Sequence, residues 1–162
     1  MKQAALPQLG KPAPLFTLAD VTGKKRPLAS FRGRPLVLCF FCGCNACADV
    51  ALQWAQLQRG KALPKDALTL LVYQGSVEEV KALARRSALD SALTILLPDV
   101  DSKVTDTLYH ADPCPRLLVI DPKGILRYAN TNPDDKPQEA PAALIVAKAL
   151  DALTKCLSLK VK

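Results

Sequence analysis

The chain has 162 residues, 49% hydrophobic and 23% charged, which suits one globular domain over 1–162 with a core that needs no disulfide staples. Its net charge of +7 comes with only 5% aromatic residues, so the basic side chains lack the stacking platforms of a nucleic-acid binder and read as solvated surface, with at most a mild preference for acidic protein partners. No stretch reaches the roughly 20 apolar residues that cross a bilayer, and residues 1–7 carry no apolar leader, so the expectation is a cytoplasmic protein.

In chain order, residues 1 to about 14 are punctuated by proline and read as irregular. Leu15–Leu18 is a short strand, Asp20–Gly23 a turn, and Arg26–Leu28 the returning strand of a hairpin. Pro35–Phe41 is an apolar, aromatic run with proline at its start, the pattern of a buried strand. Behind it Cys47, Val50, Ala51, Trp54 and Leu57 recur at helical spacing, with Gly60 as the C′ residue that closes the helix. Ala67–Tyr73 is a second buried strand. Ser76 and Glu79 form a capping box, opening a helix that buries Val80, Leu83 and Ala84 and exposes Lys81, Arg85 and Arg86. Leu93–Leu97 is a short strand, and Val104 and Leu108 mark one face of a short helix ending near Tyr109 and His110. Arg116–Ile120 is a further strand, Asp121–Gly124 a hairpin turn, and Ile125–Ala129 the strand that returns. Thr131–Gln138 is a polar loop. The last helix opens near Pro141, with Ala143, Val146, Leu150, Leu153 and Leu157 on one stripe. Alternating strands and helices followed by a hairpin make an α/β fold. Its sheet is mixed, because a tight turn joins only antiparallel neighbours.

Between the first buried strand and its helix lies Cys42-Gly43-Cys44-Asn45-Ala46-Cys47. Cys44 and Cys47 make a C-x-x-C at a helix N-terminus, where unpaired amides and the macrodipole favour negative charge. A cysteine there is stabilised as the nucleophilic thiolate, and a partner one turn on can close a disulfide or resolve a mixed one. Beside a β-α-β pattern this reads as a redox motif. A pair of inert buried thiols and half of a zinc site are the alternatives. Four of the six cysteines, Cys39, Cys42, Cys44 and Cys47, fall within nine residues, whereas a secreted disulfide scaffold spreads them out. Cys42, Cys44, Cys47 and Cys114 together would offer four thiolates to zinc, copper(I) or an iron–sulfur cluster, and His110 could join them. A lone histidine is more often a surface or helix-end residue. Cys39 and Cys156 read as packing residues.

The order of these motifs resembles the thioredoxin-like superfamily, and within it the redoxin branch: the TlpA/ResA-like thiol-disulfide oxidoreductases and the AhpC/TSA peroxiredoxins. Gly10-Lys11-Pro12-Ala13-Pro14-Leu15-Phe16-Thr17-Leu18 is similar to that branch's opening motif, G-x-x-A-P-x-F-x-L. Gly23-Lys24, Leu28 and Phe31-Arg32-Gly33-Arg34-Pro35 continue it, and Pro115 to Gly124 resembles the cis-proline segment with its F-L-I-D-x-x-G ending. The resemblance covers about residues 8–155. It implies a three-layer fold, a central mixed sheet flanked by helices, with an N-terminal β-hairpin extension. It further implies that Cys44 attacks, that Cys47 is the buried resolving cysteine, and that Pro115 is a cis-proline presenting backbone to the substrate, with Cys114 just before it. The sequence departs from the branch in four ways. The approach to the motif is one residue shorter than F-W-A-x-W-C-x-x-C. Asn45-Ala46 lacks the common proline. Cys42 and Cys114 bracket the site. Cys39 stands about where thioredoxins place a buried acid, and Asp49 is the nearest carboxylate that could replace it.

Three activities remain open. In dithiol-disulfide exchange, the Cys44 thiolate attacks a substrate disulfide and Cys47 releases it, with no cofactor. The partners are then a protein disulfide, small-thiol or peroxide substrate and an upstream reductant, and the role is that of an antioxidant redoxin in cell redox homeostasis. In a thiol peroxidase, Arg116 is the candidate to polarise peroxide, unless it is an ordinary strand-edge charge. The peroxiredoxin signature P-x-x-x-T-x-x-C is absent. The third activity is metal binding by the cysteines named above. Exchange is the leading expectation, by a monomer or weak dimer with no nucleic-acid or membrane partner.

Overall fold

The computed structural model describes residues 7–111, 115–130 and 142–161. The expected N-terminal hairpin is present: β1 (Thr17–Ala19) and β2 (Lys25–Pro27) form a separate two-stranded antiparallel sheet. A 3-10 turn, Leu28–Phe31, follows. The two strongest apolar runs become β3 (Leu36–Phe41) and β4 (Leu68–Tyr73), parallel neighbours with every residue buried. Continuous burial is what a strand covered on both faces requires. Between them runs α1 (Asn45–Arg59). After β4 come α2 (Val77–Ser87), β5 (Thr94–Pro98), and a π-helix, Lys103–Leu108. The chain ends with β6 (Arg116–Ile120), β7 (Leu126–Ala129) and α3 (Ala142–Val161). The main sheet has the order β5-β4-β3-β6-β7. It is mixed as expected, β3-β4-β5 being parallel and β6 and β7 antiparallel.

Alternation along β3 divides the core in two. Val37, Cys39 and Phe41 pack with Trp54 of α1, Leu83 of α2 and Leu153 of α3. Leu36, Leu38 and Phe40 face the other way, toward Ala13, Leu28, Val104 and Tyr109. All three long helices therefore lie on one face, and the second is closed by the N-terminal stretch, the 3-10 turn and the π-helix. The two parallel crossovers advance in the same direction across the sheet, and a right-handed crossover then puts both helices on the same side. Trp54 is the largest fully buried side chain, and its indole N–H donates to Thr69 Oγ1 at 2.8 Å. Burying a side chain of that size stabilises by about 3 kcal/mol.

Local signals hold with four corrections, one of them in α2, where Ala84 and Lys81 are both half-buried and Ser87 is buried with Val80 and Leu83. Ser76 and Glu79 form the capping box as expected. Gly60, expected in the left-handed C′ position, is right-handed at φ −78°, and Lys61 takes the left-handed place at φ 55°. The Lys61 and Ala62 amides bond back to Gln58 O and Leu57 O, the pairing of a helix end whose C′ residue is Lys61. The buried stripe of α3 is Ile145, Val146, Ala149, Leu153 and Cys156, whereas Ala143 is exposed and Leu150 half-buried. The short helix at residues 103–108 is π-type, held by Asp99, whose carboxylate accepts Thr105 N–H and O–H at 2.7 and 2.8 Å. The loop 131–138 and Pro141 lie outside the described residues. No helix among the described residues is long and apolar enough to cross a membrane.

Candidate functional site: three sulfurs at the end of the central strand

β3 and β4 run parallel and finish together, Phe41 opposite Tyr73, so the chain leaves the sheet at the open carboxyl edge where α/β folds gather their chemistry. The last ladder-like contact is Gln74 N–H to Phe41 O at 3.0 Å. Cys42 is then off the ladder and Gly43 turns the chain. Cys44 takes the N-cap of α1 in extended geometry, its sulfur accepting the Cys47 amide at 3.4 Å. Cys47 falls in the first turn and is wholly buried, while Cys44 is half-exposed. Their sulfurs are 3.3 Å apart. The amide of Cys42, released from strand pairing, donates to Cys47 Sγ at 3.2 Å, and Cys42 Sγ lies 3.9 Å from the same atom. Cys42, Cys44 and Cys47 thus bring three sulfurs within 4.8 Å of one another. Their oxidation states differ: Cys42 is in a disulfide, whereas Cys44 and Cys47 are thiols, as are Cys39 and Cys156.

Burial pushes the Cys47 thiol above the ordinary range, the Cys42 amide pulls against it, and the adjacent Cys44 sulfur adds to the upward push. Cys39, in the middle of β3, is raised by burial alone. The position expected to hold an acid therefore holds a neutral thiol. Asp49 does not replace it. Two residues beyond Cys47 on α1, it points about 200° around the helix and is exposed. Cys39 and Cys156 are the buried packing residues expected.

Because β6 is antiparallel to β3, its first residues arrive at the cysteine end: Arg116 pairs with Phe40, and Pro115 comes level with Phe41. Arg116 is only 6% exposed and so is not a strand-edge charge. Pro115 is buried, and its carbonyl accepts Asn130 Nδ2 at 3.1 Å, while Asn130 Oδ1 takes the Leu117 amide at 2.9 Å. Asn130 therefore clamps both sides of the β6 start. Cys114 lies outside the described residues. Sequence reasoning passed over two neighbours of this site. One is Asn130, whose role depends on the β6-β7 register. The other is Tyr73, whose hydroxyl sits 3.4 Å from where a Cβ on Gly43 would lie. Burial raises the Tyr73 phenol, and Glu79 and Cys47 add to the rise. Its signal was available, since the last residue of a strand parallel to β3 must end beside the C-x-x-C.

Tetrahedral zinc bound by thiolates about 2.3 Å away needs sulfurs about 3.8 Å apart, close to the 3.3 and 3.9 Å seen. The spacing suits a soft metal, but the oxidation state does not. A sulfur in a disulfide is no thiolate donor, so with Cys42 bonded the site presents two thiols, and His110 is not part of the group. Of the alternative four-thiolate set, Cys42, Cys44 and Cys47 come together, and Cys114 lies outside the described residues.

No curated protein matches the chain at a significant level. Its fold is similar to that of a secreted Mycobacterium tuberculosis disulfide oxidoreductase homologous to E. coli DsbE, at 18% identity and a TM-score of 0.64, over 83% of this chain and 93% of that one. It is similar to the thioredoxin domain of a thiol-disulfide oxidoreductase from Bacteroides vulgatus, at 22% identity and a TM-score of 0.61, over 77% of this chain and 89% of that one. A hypothetical protein from Sinorhizobium meliloti shares the fold at 21% identity and a TM-score of 0.70, over 96% and 88% of the two chains. These likenesses bear out the thioredoxin-like three-layer fold. The AhpC/TSA family model matches residues 9–129, more than half of the sequence, and the chain belongs to that family.

Proposed function

We propose that the protein is a thiol-disulfide oxidoreductase whose working pair is Cys44 and Cys47. One observation carries this reading: a half-exposed sulfur and a fully buried one lie 3.3 Å apart across the first turn of a helix at the open edge of the sheet. Cys44 is the sulfur that a substrate can reach. Its thiolate attacks a substrate disulfide, one substrate sulfur leaves and takes a proton, and Cys44 is held in a mixed disulfide. Cys47 then attacks Cys44 Sγ, the second substrate sulfur leaves, and the Cys44–Cys47 disulfide remains. The Cys42 amide stabilises negative charge on Cys47 as that step begins. An upstream dithiol reverses the cycle. The family and the solved structures similar in fold support redox chemistry with thiol substrates. A cytoplasmic setting belongs to this reading, and cell fractionation tests it.

Reduction of a protein disulfide such as that of insulin by limiting dithiothreitol tests the function. Wild type accelerates it, Cys44→Ser loses at least about 10³-fold because the nucleophile is gone, and Cys47→Ser accumulates a mixed disulfide through Cys44. Undiminished turnover in Cys44→Ser overturns the assignment. Consumption of peroxide without disulfide reduction puts a thiol peroxidase in its place.

A further inference from the structure

We propose that Tyr73 is a positioning residue for the resolving step: its ring sits between Gly43 and Gly75, and its hydroxyl supports the turn that holds Cys42 and Cys44 against Cys47. This rests on the exchange reading above and deepens it. Tyr73 closes β4, level with Phe41 at the end of β3, and packs in the same buried cluster as Phe41 and Cys47. Its backbone is fixed, since its carbonyl accepts the Gly75 amide at 2.9 Å and the Asp99 amide at 2.7 Å. The two glycines are there for room. Neither has a left-handed backbone, so neither needs glycine for its conformation. A Cβ on Gly75 would stand 2.6 Å from Tyr73 Cε1 and 3.0 Å from Glu79 Oε1. A Cβ on Gly43 would meet the Tyr73 hydroxyl at 3.4 Å. Gly75 thus makes space for the edge of the ring, and the tip of the ring reaches Gly43.

What the tip supports is the geometry of Cys47. Gly43 lies between the two residues that approach that sulfur: the Cys42 amide donates to it at 3.2 Å, and Cys44 Sγ is 3.3 Å away. Cys39 stands where an acid was expected and Asp49 is exposed, so these two contacts are what prepare Cys47 to attack. A shift of the turn alters both together, and a misplacement of about 1 Å costs up to about 10²-fold in rate. Burial, Glu79 and Cys47 hold the Tyr73 phenol above its ordinary range, so the tip stays uncharged when Cys47 becomes a thiolate. The first attack differs: half-exposed Cys44 meets a substrate arriving from solvent, and that step does not depend on the distance to Cys47.

The test separates the two attacks with one equivalent of an aryl disulfide, dithiobis(nitrobenzoate), given to the full chain with Cys44 and Cys47 as thiols. The Cys44 thiolate attacks, a mixed disulfide forms and one aryl thiolate leaves. The Cys47 thiolate then attacks Cys44 Sγ, the Cys44–Cys47 bond forms and the second aryl thiolate leaves. Absorbance reads both releases, and mass spectrometry follows the adduct on Cys44. Tyr73→Leu is expected to slow the second release about thirtyfold and to leave the first within about threefold, whereas Tyr73→Phe, which keeps the ring in its seat, slows the second about threefold. Gly75→Ala displaces the ring and slows the second release about tenfold on its own, yet adds nothing to Tyr73→Leu, where there is no ring to displace. Equal slowing of both releases in Tyr73→Leu, or a second release at the wild-type rate, overturns the proposal. So does a Gly75→Ala effect as large without the ring as with it. If circular dichroism shows Tyr73→Leu unfolded, Tyr73→Phe and Gly75→Ala decide alone, and wild-type second release in both overturns the proposal. A wild-type protein that makes the first release and never the second marks failure of the exchange reading instead, and the proposal falls with it.

Discussion

Asp121 and Cys47 are both buried and ionisable, and they sit at opposite ends of the sheet, one beyond the carboxyl end of β6 and the other beyond that of β3. Asp121 Oδ1 accepts the amides of Lys123 and Ile125 at 2.9 and 3.0 Å, and Oδ2 takes the Arg127 guanidinium at 2.8 Å. The carboxylate is saturated. Cys47 receives one backbone N–H and otherwise faces sulfur. A saturated polar group specifies a turn and cannot react without breaking it, whereas a group left short of partners keeps free energy available for chemistry. Fold and function are thus kept apart by about the length of a strand.

The sharpest way to break this contrast is Asp121→Ala. It leaves two amides without their acceptor and removes the partner of the partly exposed Arg127 guanidinium, and costs about 2–3 kcal/mol in urea unfolding, with disulfide exchange intact wherever the variant stays folded. A loss below about 1 kcal/mol would mean the turn does not depend on its carboxylate. Asp20 sharpens the contrast through pH. Burial pushes its carboxyl up, but bonds from Thr22, Arg26 and the Thr22 and Lys24 amides outweigh this and hold it well below the usual range. The unfolded chain therefore takes its proton first. The stabilisation is complete above about pH 4 and drains away as pH falls. The gap in urea midpoint between wild type and Asp20→Asn is expected to be flat from about pH 5 to 7 and to narrow below about 4. Cys47→Ala is the smallest effect on stability, about 1 kcal/mol for a small side chain lost from the core, while insulin reduction falls to background. Destabilisation equal to that of Asp121→Ala would erase the contrast.

Asp20 and Asp121 also show what was and was not legible in the sequence. Both open the run D-x-x-G-x-x-R, Asp20-Gly23-Arg26 and Asp121-Gly124-Arg127, and both close it with the same bonds: amides two and four residues on to Oδ1, and the arginine six residues on to Oδ2 at 2.8 Å. The turns themselves were readable from proline and glycine, but the shared carboxylate-arginine clasp was not, because it needs the paired strands to bring residues six apart together. β3, β4 and α1 were plain from continuous burial and helical spacing. The third sulfur was visible as a residue type, yet its pairing and its 3.9 Å approach to Cys47 depend on where the chain leaves β3. The three helices on one face were hidden as well, since that follows from strand order, which no single segment encodes.

Cys39 sits at the centre of β3, between Leu71 on one side and Leu117 on the other, and is 1% exposed. No aqueous reagent reaches it while the sheet is closed. It nevertheless lies on the strand that leads into the three-sulfur group, and in an open chain it would stand on the same ladder toward irreversible sulfinic and sulfonic acids as any other thiol. Its protection is conformational: the fraction of time it can be damaged is the fraction of time β3 is unzipped from β6. The lifetime of that one buried thiol is therefore a property of the sheet that closes over it.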